Sequence, residues 1–155
     1  MNALTIYSAT PDKFADKLQI CFELQKSRSL ICENADIDLG LNYTSRYVSA
    51  APKHLRTHIR RIYFAIRGGE KVRLIGAIID LFLVLNGKGN ALVNRIIDQA
   101  EPILEKKTLS DLRKFADTSD FRFITNLPLQ HSVLVNGSLS VSHHCFNPIL
   151  LEQCP

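Results

Sequence analysis

Twelve residues from Leu74 to Leu85 carry a single charge, Asp80, and this run constrains the fold more than any other part of the chain. It is too short for a bilayer, which takes about 20 apolar residues, and Arg73 and Lys88 flank it. At helical spacing it shows two apolar stripes: Leu74, Ile78, Leu81 and Leu85, and beside them Ile75, Ile79 and Phe82. A helix apolar on most of its circumference has to be covered on most sides. A helix from Glu70 to about Leu85 is therefore expected at the centre of the fold. Asp80 is expected on a narrow solvent-facing strip with Gly76 and Ala77. Two competing readings remain: a buried carboxylate, with Arg73 or Arg95 supplying the charge it needs, or a second helix approaching closely over Gly76-Ala77.

The neighbouring segments read as helices around it. Pro52 opens one whose inner positions are Leu55, Ile59, Ile62 and Ile66, and Gly68-Gly69 is a natural left-handed stop. Another starts near Asn90 as N-cap and turns Leu92, Val93, Ile96, Ile97 and Ala100 inward. Pro102 then demands a kink or a fresh helix start. Thr108-Leu109-Ser110-Asp111, a capping-box variant, signals the next helix. Towards the N-terminus, Thr10 and Pro11 open a helix running to about Ile31 or Cys32. Its repeating face is Phe14, Leu18, Cys21 or Phe22, Gln25 and Ser29, with Asp16 and Lys17 outward. Residues 34–51 read as a long connection with room for a short helix around Tyr43–Val48.

Beyond Arg122 the composition changes. Residues 123–151, 29 in all, contain no Lys, Arg, Asp or Glu. Within them Asn136-Gly137 lies between Ser132–Val135 and Ser138–Val141, a strong hairpin signal. That register pairs Leu134 with Leu139 and sets Val133 and Val135 on the other face. Phe121 to Thr125 is a candidate partner strand. The expected fold is mainly α (α+β), an antiparallel helical bundle or short helix-hairpin stack with a small C-terminal β-hairpin. One domain spans 1–155, with a helical core over 8–120 and the C-terminal segment over 121–155.

Among 155 residues, 46% are hydrophobic and 22% charged, which excludes disorder, collagen-like and coiled-coil composition for the whole chain. The opening residues Met1 to Tyr7 have neither a basic nor a long apolar stretch, so no secretory leader is expected. Cys21, Cys32, Cys145 and Cys154 form no C-x-x-C pair, and reduced thiols in a cytoplasmic protein are the default. The glycosylation patterns at Asn42 and Asn136 are discounted on the same ground.

Charge is unevenly laid out. Between residues 51 and 79 lie Lys53, Arg56, Arg60, Arg61, Arg67, Lys71 and Arg73 against Glu70 alone, a local +6 beside a whole-chain +4. Lys53, Arg56, Arg60, Arg67 and Lys71 are the candidate polyanion-binding residues, because arginine forks suit phosphates. A solvated helix face accounts for the same charges. Gly87-Lys88-Gly89-Asn90 lacks the strand and the spacing of a phosphate loop and reads as a glycine stop followed by a cap. His54 and His58 stand four apart, but Leu55 occupies the place of a catalytic glutamate, and His143-His144-Cys145 has no full ligand set. No metal or cofactor is called for. His144 is poorly placed to activate its neighbour Cys145, and the pairs Asp36/Asp38 and Asp117/Asp120 sit where turns and caps use acids. No catalytic residue is assigned.

The expectation is a small, soluble, non-enzymatic protein-interaction module. Self-association is expected through the C-terminal segment, with Val133, Val135, Leu139 and Val141 as partner-binding residues. The alternative is nucleic-acid or other polyanion binding through the basic helix 53–73. No membrane association is expected.

Overall fold

The computed structural model describes residues 11–136. Six helices follow one another: α1 (Pro11–Lys26), α2 (Ile37–Ala50), α3 (Leu55–Gly68), α4 (Lys71–Leu85), α5 (Asn90–Ala100) and α6 (Lys106–Thr118). A 3₁₀ turn (Phe121–Phe123) and a short helical turn, α7 (Val133–Asn136), complete the described part. The protein is mainly helical, with no strand among the described residues.

The apolar run forms the central helix. Leu74, Ala77, Ile78, Ile79 and Leu81 of α4 are fully buried, and α3, α5, α6 and α7 pack around them. Gly69, at φ +64°, ends α3 and turns the chain directly into α4. Only a residue without Cβ takes that conformation at no cost, so the two helices become a tight antiparallel pair. Asn86, also left-handed at φ +46°, caps α4.

Other local expectations change. α5 begins after Gly89, whose left-handed backbone occupies the cap position, so the Asn90 side chain caps nothing. Pro102 neither kinks a helix nor starts one. It lies in a turn where the amides of Ile103 and Leu104 both return to the Ala100 carbonyl. That turn releases the chain early, and α6 starts at Lys106, which puts Thr108–Asp111 inside the helix.

α2 is the largest difference. Its buried positions Gly40, Leu41, Thr44, Ser45 and Val48 do have helical spacing, but only two of them are large and apolar. Asp36 caps it by accepting from the Leu39 amide at 2.8 Å. Gly40 lets the end of the buried Phe64 ring come so close that a Cβ there would lie 2.6 Å from it. The Thr44 hydroxyl donates to the Gly40 carbonyl at 2.7 Å. Small residues thus form a close helix–helix seam rather than a loop.

The C-terminal β-hairpin is corrected. Val133–Asn136 is a helical turn, and the amides that would enter a strand ladder bond elsewhere. Val133 and Leu134 donate to the Asp80 carboxylate at 2.8 and 3.0 Å, and Val135 donates to the Ser132 hydroxyl at 3.2 Å. Leu139 and Val141 lie outside the described residues. Phe121–Phe123 is a 3₁₀ turn and not a partner strand, capped by Asp120 accepting from the Arg122 amide at 2.9 Å.

Candidate functional site

The basic segment is the first place to look, and its cations are not gathered into one free patch. Arg60 is 5% exposed. Its guanidinium donates to the carbonyls of Leu24, Ser27 and Ser29, the last at 2.6 and 3.0 Å. The four carbonyls at a helix C-terminus have no partner within the helix. Arg60 therefore closes the end of α1 and the turn after it from 31 or more residues away in sequence. Arg67 donates to the Cys32 carbonyl at 2.9 Å and stands 5.8 Å from the centre of the Tyr63 ring. Arg73 pairs with Asp38 at 2.8 Å and with Glu70 at 3.0 Å. Lys53, Arg56 and Lys71 are exposed, the first two near the start of α3 and the third at the start of α4. Arg56 borders a recess of about 70 Å³ with Tyr43, Tyr47, His54, Thr57 and Arg60.

Arg61 is bound deeper still. It meets Asp80 inside the protein, and both side chains are almost completely buried. The expected solvent strip on α4 is instead a contact surface. One Asp80 oxygen takes Arg61 and the Val133 amide; the other takes the Ser132 hydroxyl at 2.6 Å and the Leu134 amide. The second nitrogen of Arg61 donates to the His131 carbonyl. Neither Arg73 nor Arg95 is the partner. A buried carboxylate is tolerable when it is paired and its lone pairs are used, and both conditions hold. Gly76 completes the seat: a Cβ there would come within 2.5 Å of the His131 carbonyl carbon. This node fixes residues 129–136 across α4. Val133 is buried and Val135 is partly buried against the core, so both face inward.

The histidines do different things. His54 Nδ1 lies 2.7 Å from the Thr57 hydroxyl and stacks obliquely near Tyr47, with ring centres 5.2 Å apart. His58 is fully buried. Its Nε2–H donates to the Pro52 carbonyl at 2.7 Å, which leaves Nδ1 as an unpartnered acceptor. Burial holds this imidazole below its ordinary value of 6.5, against the opposing pull of the Pro52 hydrogen bond and the Asp80 charge. The unfolded chain therefore binds a proton at about pH 6.5 that the native ring refuses. Stability from this group is complete above that pH and falls as the pH drops below it. Urea midpoints between pH 7.5 and 5 are expected to decline in the wild type and to decline less steeply in His58→Gln, with any remaining slope arising in part from His131, which burial shifts the same way. Parallel slopes in the two proteins would show that His58 plays no part.

Among the described residues, no group of three or more His, Cys, Asp or Glu is placed to hold a metal ion. Cys21 and Cys32 are free and half-buried. His143, His144, Cys145 and Cys154 lie outside the described residues. No helix of the described residues is long and apolar enough to cross a membrane.

The remaining surface feature is on α1, and its orientation corrects the sequence reading. The inner positions are Ile20, partly buried, and Leu24, 2% exposed. Leu18 and Phe22, read as part of the inner stripe, stand 44% and 57% exposed. With Ala15, Gln19, Glu23 and Lys26 they line a shallow recess along the outside of the helix. The signal lay in the sequence as a second i, i+4 pair, Ile20 and Leu24, which competes with Leu18 and Phe22 for the core. Just after α1, Leu30 and Ile31 are 43% and 52% exposed.

No known protein family, curated protein or solved structure matches the chain. The class it defines by itself is an all-helical fold, among its described residues, with a buried ionic node at its centre and an apolar face on its first helix.

Proposed function

We propose that this protein is a small non-enzymatic protein-interaction module that docks a partner along the outer face of α1. One observation carries the reading: Leu18 and Phe22 project from a helix whose other side is already anchored by Leu24. Exposed single apolar residues are ordinary, but a leucine and an aromatic one turn apart, with Ala15 continuing the row, form a stripe. Aromatic side chains such as Phe22 are enriched in the buried centres of interfaces. The described part of the C-terminal segment does not offer such a face, because Val133 and Val135 turn inward. The polyanion alternative has less support, since Arg60, Arg61, Arg67 and Arg73 spend their donors on the protein itself.

The test is affinity capture with wild type and with Leu18→Glu/Phe22→Glu. Both positions are at the surface, so the variant is expected to melt within a few degrees of wild type, as surface substitutions do. A partner held by the wild type and lost by the variant is the expected result. Identical capture by both proteins would remove the reading.

A further inference from the structure

We infer that the recess between the end of α1, α2 and the start of α3 holds one phosphate group, either free or at the end of a phosphomonoester. This goes beyond the docking reading and stands independently of it. Tyr43 and Tyr47 of α2 form part of the wall, and His54, Arg56, Thr57 and Arg60 another part. No carboxylate stands among the described residues that line it.

Arg60 is what calls for an anion. It is 5% exposed and forms no ion pair with any described residue. Its bonds go to the carbonyls of Leu24, Ser27 and Ser29 at the end of α1, and a helix C-terminus offers only about half a negative charge. A buried charge is costly unless it is fully compensated, so part of this cation still lacks a counter-charge. One donor is left as well. Nε makes one bond, Nη2 two and Nη1 one, which accounts for four of the five N–H groups of a guanidinium.

The other groups of the recess suit the same ligand. The side chain of Arg56 and the hydroxyls of Tyr43 and Tyr47 have no hydrogen bond or ion pair among the described residues. Arg56 can therefore offer its whole fork to a phosphate. Burial holds the Tyr43 phenol above its usual range, against the pull of Arg60, so it stays a neutral donor. The Thr57 hydroxyl engages His54 Nδ1 at 2.7 Å, which leaves Nε2 as the ring atom for a ligand. Size sets the limit. At about 70 Å³ the recess is far smaller than the ~300–1,000 Å³ of sites that enclose an organic ligand, and it suits a single tetrahedral oxyanion. The body of an ester would lie outside.

The experiment is calorimetric titration of the full-length chain with inorganic phosphate and with methyl phosphate, at constant ionic strength in chloride. Saturable binding at one site is expected. Arg56→Gln is expected to weaken it about tenfold or more, the effect of losing a charge-assisted fork, and Tyr47→Phe about two- to tenfold. Arg46→Gln removes the same charge from an exposed position on α2 outside the recess and is expected to change affinity by about twofold at most. All three variants are expected to melt within a few degrees of wild type. Methyl phosphate binding at least as tightly as phosphate identifies an ester as the ligand, and weaker binding of the ester identifies the free ion. No saturable binding of either probe overturns the inference. Binding that Arg56→Gln leaves intact, or that Arg46→Gln weakens equally, shows general attraction to a basic surface and overturns it too.

Discussion

Asp80→Ala is expected to destabilise the protein by about 3–5 kcal/mol, the cost of leaving one member of a buried ion pair without its partner. Four donors converge on this carboxylate, from Arg61, the Ser132 hydroxyl and the amides of Val133 and Leu134, and Arg61 donates in turn to the His131 carbonyl. Two of the donors to Asp80 have little access to water, because Arg61 is 2% exposed and Ser132 is fully buried. The loss therefore exceeds what a surface pair would show. Asp80→Asn keeps one acceptor oxygen in nearly the same place and is expected to fall between wild type and alanine. Urea unfolding measures the free energies. Hydrogen exchange gives the local counterpart, with the amides of Val133 and Leu134 losing protection first. A change below about 1 kcal/mol in Asp80→Ala would mean that the node is not what holds residues 129–136 in place.

How far the sequence reveals this depends on whether the relevant contacts are local. The α3–α4 pair is legible because its spacing, its glycine stop and its apolar run all lie within one stretch of chain, and each implies the same structure. α2 is hidden because its inner face is built from Gly40, Thr44 and Ser45, residues that usually mark turns, and only the approach of Phe64 shows why small side chains are wanted there. The hairpin at Asn136-Gly137 fails for a different reason. Its turn chemistry and alternation are local signals, whereas the acceptor that takes the amides of Val133 and Leu134 is 53 and 54 residues away. Strand propensity is a weak preference, and a buried carboxylate at the head of a helical turn outweighs it.

The same distinction governs the candidate site. A run of arginines reads as a patch when only the run is visible. Arg60 and Arg61 are neighbours, yet one reaches back to the carbonyls that end α1 and the other crosses to α4 and His131. Long side chains with several donors are well suited to joining segments that have no other way to satisfy their backbone groups. The α1 face escapes notice for the converse reason. Leu18 and Phe22 have the periodicity of a core stripe, and the sequence does not say which of two stripes a helix buries. Leu24 settles it by packing into the core at 2% exposure, with Arg60 closing the helix end beside it.

Gly76→Ala tests the same seat from the other side and is expected to cost about 3 kcal/mol or more, at the upper end of overpacking. The sign is informative, because alanine in place of glycine within a helix is by itself stabilising by about 0.5–1 kcal/mol. The added Cβ, however, would sit 2.5 Å from the His131 carbonyl carbon, 2.6 Å from its oxygen and 2.8 Å from the Ser132 nitrogen. All three are backbone atoms, so no rotamer change relieves the clash, and residues 131–132 must lift away from α4. Lifting them also separates Asp80 from Ser132, Val133 and Leu134, so the two sites share most of their energy. The double variant Gly76→Ala/Asp80→Ala is accordingly expected to lose clearly less than the sum of the single losses, by about 1–3 kcal/mol in a double-mutant cycle. Strict additivity would show that the close approach at Gly76 and the hydrogen bonds at Asp80 hold the segment independently, and a stabilised Gly76→Ala would show that the segment does not rest on α4 at all.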